Sequence, residues 1–232
     1  MQFIEVSDLG VRAAVYRLQR RDTALSFLLL PMLHVGEQAY YDNVQQRLTT
    51  CDAIFIEGMR SRHANRLAAA LMLLERHRRL QQCGLVFQGD GLDLRALQDR
   101  AIYPDLPADA FDVGWLNIPW TDWLLFFCLV PVVAVALWFV DPKATIARSM
   151  QLDDLPSRRE VFMAGDPLDA LIIDTRDASL VQHLTHYEAE HRADNLLVAI
   201  LYGARHMRAV THFLMERLHY QVADSEWLTV FT

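Results

Sequence analysis

Two apolar runs, one near each end, constrain this chain more than any other feature. Ala24 to Leu30 and Leu196 to Leu201 are almost unbroken apolar stretches too short for a core helix. A strand with one wet face alternates apolar and polar residues. A strand that stays apolar has both faces covered, as in a parallel sheet between helices. Each run leads into a loop that ends on a histidine. The first passes Pro31 to His34, and the second passes Tyr202-Gly203-Ala204-Arg205 to His206. A helix follows each, over Gln38 to Leu48 and Met207 to Leu218. Then comes a further strand, Ala53 to Ile56 closing on Glu57-Gly58, or Tyr220 to Ala223. Strand, loop, helix, strand is a βαβ unit, so one is expected at each end.

The remaining periodicities fill in the domain. Phe3 to Val6 and Val11 to Leu18 flank the turn residues Ser7-Asp8-Leu9-Gly10, which predicts an opening hairpin. Leu67, Ala70, Leu71 and Leu74 recur at helical spacing within Arg62 to Gln82, and Gly84 is a stop signal. Leu85 to Phe87 and Ala101 to Tyr103 read as strands around a short helix, Leu92 to Leu97. Ala170 to Ile173 is a short apolar run, and Ala178 to His191 reads as a helix. The expected fold is a single α/β domain over residues 1–232. It has a mostly parallel central sheet flanked by helices, βαβ units at both ends, and a hydrophobic helical insertion at 109–156.

Composition removes several function classes. At 53% apolar the chain is not disordered, and 232 residues supply a sizeable core. A net charge of −7 argues against nucleic acid as a partner, because phosphate contacts need clustered positive charge. Arg60, Arg62, Arg66, Arg76, Arg78 and Arg79 form one basic stretch, read as the wet face of a helix in preference to a surface for anionic lipid or a partner. Cys51, Cys83 and Cys128 lie far apart without a Cys-x-x-Cys, so neither a disulfide framework nor a thiolate metal cluster is expected. The first residues lack a basic segment followed by an apolar core, and the expected compartment is the cytoplasm.

Trp123 to Val140 carries no charge and is bracketed by Asp122 and Asp141. Its length is at the lower limit for a membrane span, and Trp115, Trp120, Trp123 and Trp138 resemble interfacial anchors. A span here would put His34 and Glu57 on one side of a membrane and His206 on the other. Pro131 would also break the helix near its middle. Attachment to a membrane surface, or a homodimer contact, fits both facts better than a buried core helix or a true span.

No phosphate loop, His-Glu-x-x-His or Gly-x-Ser-x-Gly occurs, and Gln88-Gly89-Asp90-Gly91 is read as a turn. In parallel sheets the loops at the carboxyl ends of strands form the functional crevice. His34, Glu57 and His206 all fall at such ends. Two histidines and a carboxylate suit a divalent transition metal; the plainer reading makes them capping or packing residues. His183, His186, Glu190 and His191 form a rival cluster that reads first as a solvated helix face. His63, His77, His212 and His219 are taken as surface or capping residues.

Two stretches together resemble a known family. Leu28-Leu29-Leu30-Pro31-Met32-Leu33-His34-Val35-Gly36, with Tyr40-Tyr41 and Ile54-Phe55-Ile56-Glu57-Gly58, is similar to the opening of the TraB/PrgY/GumN family. Ile173-Asp174-Thr175-Arg176-Asp177 and Val198-Ala199-Ile200-Leu201-Tyr202-Gly203-Ala204-Arg205-His206-Met207 resemble its closing motifs. That family groups with TIKI-type proteases, EreA-like esterases and ChaN lipoproteins. The resemblance covers roughly residues 24–105 and 165–232. It implies metal-dependent hydrolysis of a peptide, amide or ester, or else a non-catalytic protein holding a peptide signal, metal or haem at a membrane surface. By the same resemblance His34, Glu57 and His206 hold a manganese, cobalt, zinc or iron ion, or one histidine serves as general base. It also implies Glu57, Arg176 and His206 as the catalytic residues. Arg176 neutralises an anionic substrate group or a developing oxyanion, unless it is a buried ion pair with Glu57 or Asp177. Pro31 stands where the family pattern has glycine, which removes an amide donor.

Overall fold

The computed structural model describes residues 1–58, 78–104, 141–154 and 175–232. The chain divides into two compact units. One comprises Met1–Gly58, Gly84–Asp105 and Asp177–Thr232; the other comprises Met59–Cys83 and Leu106–Arg176.

The first unit is built on a mixed sheet of the α/β class, parallel at its centre. The opening hairpin forms as expected, with β1 (Ile4–Ser7) and β2 (Gly10–Gln19) paired antiparallel. Gly10 sits at φ +121, which only glycine adopts freely. β3 (Ser26–Met32) pairs in parallel with β8 (Leu197–Gly203), from Ser26↔Leu197 to Met32↔Gly203. On its other side β8 pairs in parallel with β5 (Ala53–Ile56), and β5 with β7 (Ala101–Ile102). The last apolar run is thus the central strand of the sheet. Its residues Val198 to Tyr202 are all buried, as are all four of β5.

The first βαβ unit is β3, α1 (Gln38–Thr49) and β5, with β8 inserted between its two strands. Tyr40, Tyr41, Val44 and Leu48 bury one face of α1 at helical spacing. The second expected βαβ unit is corrected. β9 (Gln221–Phe231) does not return beside β8. It pairs antiparallel with β2 along Val11 to Gln19. It is also far longer than Tyr220 to Ala223, because Asp224, Ser225 and Glu226 hide a strand whose residues 221–227 are all exposed. Pairing with β2 overrides their low strand preference. A strand has two edges. With β9 on one, the other is shared by β1 over Gly10–Ala13 and β3 over Tyr16–Gln19.

Further boundaries move for stated reasons. Pro31 lies inside β3 and does not end it. Ser26 N donates to Leu196 O on the β8 side, so by alternation the nitrogen of Pro31 points to the β2 side. The β2 pairing has already stopped at Leu29, so the missing amide costs no ladder bond. The Pro31 carbonyl is taken by the Tyr40 hydroxyl at 2.9 Å, and that of Leu33 by the Tyr41 hydroxyl at 2.9 Å. β6 (Leu85–Phe87) leaves the main sheet and pairs with β4 (Val35–Glu37). α3 (Gln88–Gly91) is one helical turn, and the short helix foreseen at Leu92 to Leu97 is a 3-10 segment at Arg95–Arg100.

α5 (Thr175–His191) begins three residues before the expected Ala178. Leu180, Leu184 and Glu188 form its buried stripe. Glu188 meets Arg20 at 3.2 Å, outside good hydrogen-bond geometry. Arg20 also donates to Leu218 O at 2.9 Å and lies over the Tyr220 ring. α6 (Met207–Thr211) runs into a π-helical turn, His212–Arg217, that completes the last expected helix.

In the second unit, α2 (Arg78–Gln82) is the described end of the helix expected from Arg62. α4 (Pro142–Asp154) is helical within the stretch read as an insertion, with Asp141 Oδ1 capping the amide of Lys143 at 3.0 Å. Trp123 to Val140 and Ala170 to Ile173 lie outside the described residues. Among those described, no helix is long and apolar enough to cross a membrane.

Candidate functional site

The carboxyl ends of β3, β8 and β5 lie side by side because their registers end nearly level, at Met32↔Gly203 and Ile56↔Leu201. Glu57 is the first residue past β5, and its amide donates to Leu201 O at 3.1 Å. Its carboxylate reaches across to β8. Oε2 accepts the amide of Gly203 at 2.7 Å, and Oε1 stands 3.5 Å from His206 Nε2. After β8 the chain tightens into a 3-10 turn, Ala204–His206, that swings His206 back over the strand ends. The histidine is buried, 5% exposed, with the Tyr202 ring edge-on at 5.6 Å.

The second partner of His206 is Asp177, in the first turn of α5. Its Oδ1 lies 2.6 Å from His206 Nδ1. An ionised carboxylate only accepts, so Nδ1 carries the hydrogen and Nε2 is turned to Glu57. Burial alone would lower the pKa of this imidazole. The hydrogen bonds to Asp177 and Glu57, and the charges of both, outweigh burial and raise it to about 9.

His34 lies two residues past β3, the strand beside β8, and is exposed. Its Nδ1 is 3.3 Å from Gln88 Oε1, and its carbonyl accepts the Gln88 amide at 2.8 Å. Arg176 is buried, 3% exposed, in the first turn of α5. The structure therefore brings Glu57 and His206 together and sets His34 at the end of the neighbouring strand. Among the described residues no three His, Cys, Asp or Glu side chains are gathered tightly enough to hold a metal ion. Glu57 and His206 would be two donors of such a shell.

Sequence reasoning missed Asp177 and Gln88 as the groups that orient the two histidines. The sequence marks Asp177 only as an ion-pair partner for Arg176, and Gln88 only as part of a turn. The available signal was an acidic residue in the first turn of a helix feeding the central strand. The rival cluster is not gathered around one point. His183 and His186 each bond a carbonyl of their own helix, and His191 pairs with Asp194 at 2.8 Å. The Pro31 nitrogen, on the β2 side, faces away from β8 and so from the Gly203–His206 turn. Cys51 is buried, which pushes its thiol up to about 11, and Cys83 is half-buried; both are free.

No family model matches the chain, and no curated protein or solved structure matches it.

Proposed function

We propose that the chain is a TraB-like metal-dependent hydrolase acting on a peptide, amide or ester bond at the carboxyl ends of β3, β8 and β5. One observation carries this reading: each strand-end histidine has Nδ1 against a side-chain oxygen, Asp177 Oδ1 for His206 and Gln88 Oε1 for His34. Histidines that serve metals are oriented in this way, with Nε2 the donor once a metal displaces its proton. The Nε2–Glu57 separation of 3.5 Å supports the fit. At that distance the imidazole and the carboxylate are neighbours, and together they would hold a divalent ion. A divalent ion there (manganese, cobalt, zinc or iron) supplies Lewis acidity toward a carbonyl and a water of lowered pKa.

The chain's own groups have separable roles. Asp177 holds the His206 ring. Gly203 N pins one Glu57 oxygen and leaves Oε1 to ligate the ion or take a proton from the attacking water. The family resemblance alone assigns Arg176 the role of neutralising an anionic substrate group or a developing oxyanion.

The near-complete burial of His206 favours a second reading, a binding or regulatory protein that retains a peptide, metal or haem without turnover. A panel of ester, amide and peptide reporters, assayed with added manganese, cobalt or zinc, separates the two. Metal-dependent turnover that falls about 100-fold or more in Glu57→Gln is expected. Ligand retention without turnover would favour the second reading. The apolar segment at Trp123 to Val140 is proposed as the contact with a membrane surface or a second copy.

A further inference from the structure

Outside the strand-end site, the described surface carries one pair of imidazoles whose hydrogen bonding points to a ligand. His183 and His186 are both exposed and lie three residues apart on α5, so their side chains are one turn apart on the same side of the helix. Both use Nδ1 in the same manner. His183 Nδ1 is 2.8 Å from the Ser179 carbonyl, and His186 Nδ1 is 3.1 Å from the Gln182 carbonyl. A carbonyl only accepts, so Nδ1 carries the hydrogen in both rings. The lone pair of each exposed ring is then on Nε2, and each ring is steadied by its own helix backbone. This is the outer-sphere arrangement that fixes tautomer and orientation in metal-ligating histidines, supplied here by main-chain oxygens.

The surroundings suit a cation. Between Asp177 and His191 the helix has no Lys or Arg, and the exposed carboxylate of Glu190 lies one turn beyond His186 on the same side. The opposite stripe, Leu180, Leu184 and Glu188, is buried and fixes which way the pair faces. We propose that His183 and His186 form a two-imidazole surface site for a divalent transition ion of the nickel, copper or zinc type, its other positions open to water or to a donor from another molecule. Imidazole donors select these ions over magnesium or calcium. The site is independent of Glu57 and His206.

Nickel titrated calorimetrically into the full chain tests it, with His183→Ala, His186→Ala and Glu57→Gln measured in parallel. Both histidines are on the surface, so circular dichroism of the two alanine variants should match the parent. A nickel-binding step that persists in Glu57→Gln is expected, separate from any binding at the Glu57–His206 centre. It should weaken about 100-fold in either alanine variant, since the second donor binds as an intramolecular event. Nickel binding unchanged in either alanine variant, or no nickel-binding step left in Glu57→Gln, would overturn the proposal.

Discussion

The Glu57 carboxylate holds the end of the strand that delivers its partner histidine: Oε2 accepts the Gly203 amide at 2.7 Å while Oε1 faces His206 at 3.5 Å. One side chain thus ties β5 to β8 and sets the spacing of the proposed metal donors. Gly203 also has no room to spare. A Cβ there would lie 3.2 Å from Glu57 Oε2 and 3.7 Å from the His206 ring.

Gly203→Ala therefore crowds the carboxylate without straining the backbone, whose φ of −52 and ψ of 146 suit any residue. A stability loss of about 1 kcal/mol is expected. Metal affinity should fall about tenfold or more as Glu57 Oε1 moves. Thermal unfolding beside a manganese or zinc titration would read both. An unchanged affinity would show that the Glu57 position does not matter.

His206 makes stability depend on pH in metal-free protein. Its folded pKa, about 9, exceeds the ordinary value of 6.5. The stabilisation is therefore complete below about pH 6.5, declines between 6.5 and 9, and is gone above 9. Its size is on the order of 3 kcal/mol. Urea unfolding of chelator-treated protein should show this decline, and Asp177→Asn should flatten it. A stability that rises between pH 6.5 and 9 in the parent would contradict the assignment.

Pro31→Gly places there the glycine of the family that the opening motif resembles. Proline already fits β3, so glycine adds only unfolded-state freedom, a loss of about 1 kcal/mol or less. The new amide would face the β2 side, so metal affinity should not change. A gain in affinity would place that amide in the site.

Arg20→Ala tests the link between the sheet and α5. It leaves the Glu188 carboxylate, 5% exposed, without its closest cation. The remaining Arg192 contact is long, at 3.8 Å, and largely exposed. Removing one partner of a buried pair costs about 3–5 kcal/mol. Denaturant unfolding should show that loss, while Arg192→Ala should cost under about 1 kcal/mol.

The strands buried on both faces were legible because continuous apolar runs leave few alternatives. Ala53 to Ile56 was found with its exact limits, and the hairpin and α1 within two residues. β9 was truncated because its pattern is polar and its partner, β2, lies some 200 residues away, where no local signal reaches. The order of the sheet was hidden for the same reason: nothing local in Val198 to Tyr202 says that it parts β3 from β5. The strand-end rule located His34, Glu57 and His206 just past the carboxyl ends of β3, β5 and β8. Asp177 was not recognised as the partner of His206, because that contact joins positions 29 residues apart through tertiary folding.

Elemental analysis of the dialysed protein is the most direct test of the Glu57–His206 centre, made in a His183→Ala/His186→Ala background to remove the surface pair. His206→Gln and His34→Ala would be compared after loading with manganese, cobalt or zinc. The predicted result is close to one ion per chain, lost with His206 and weakened with His34. No retained metal in the parent, or the same amount in the His206 variant, would contradict the proposed hydrolase centre.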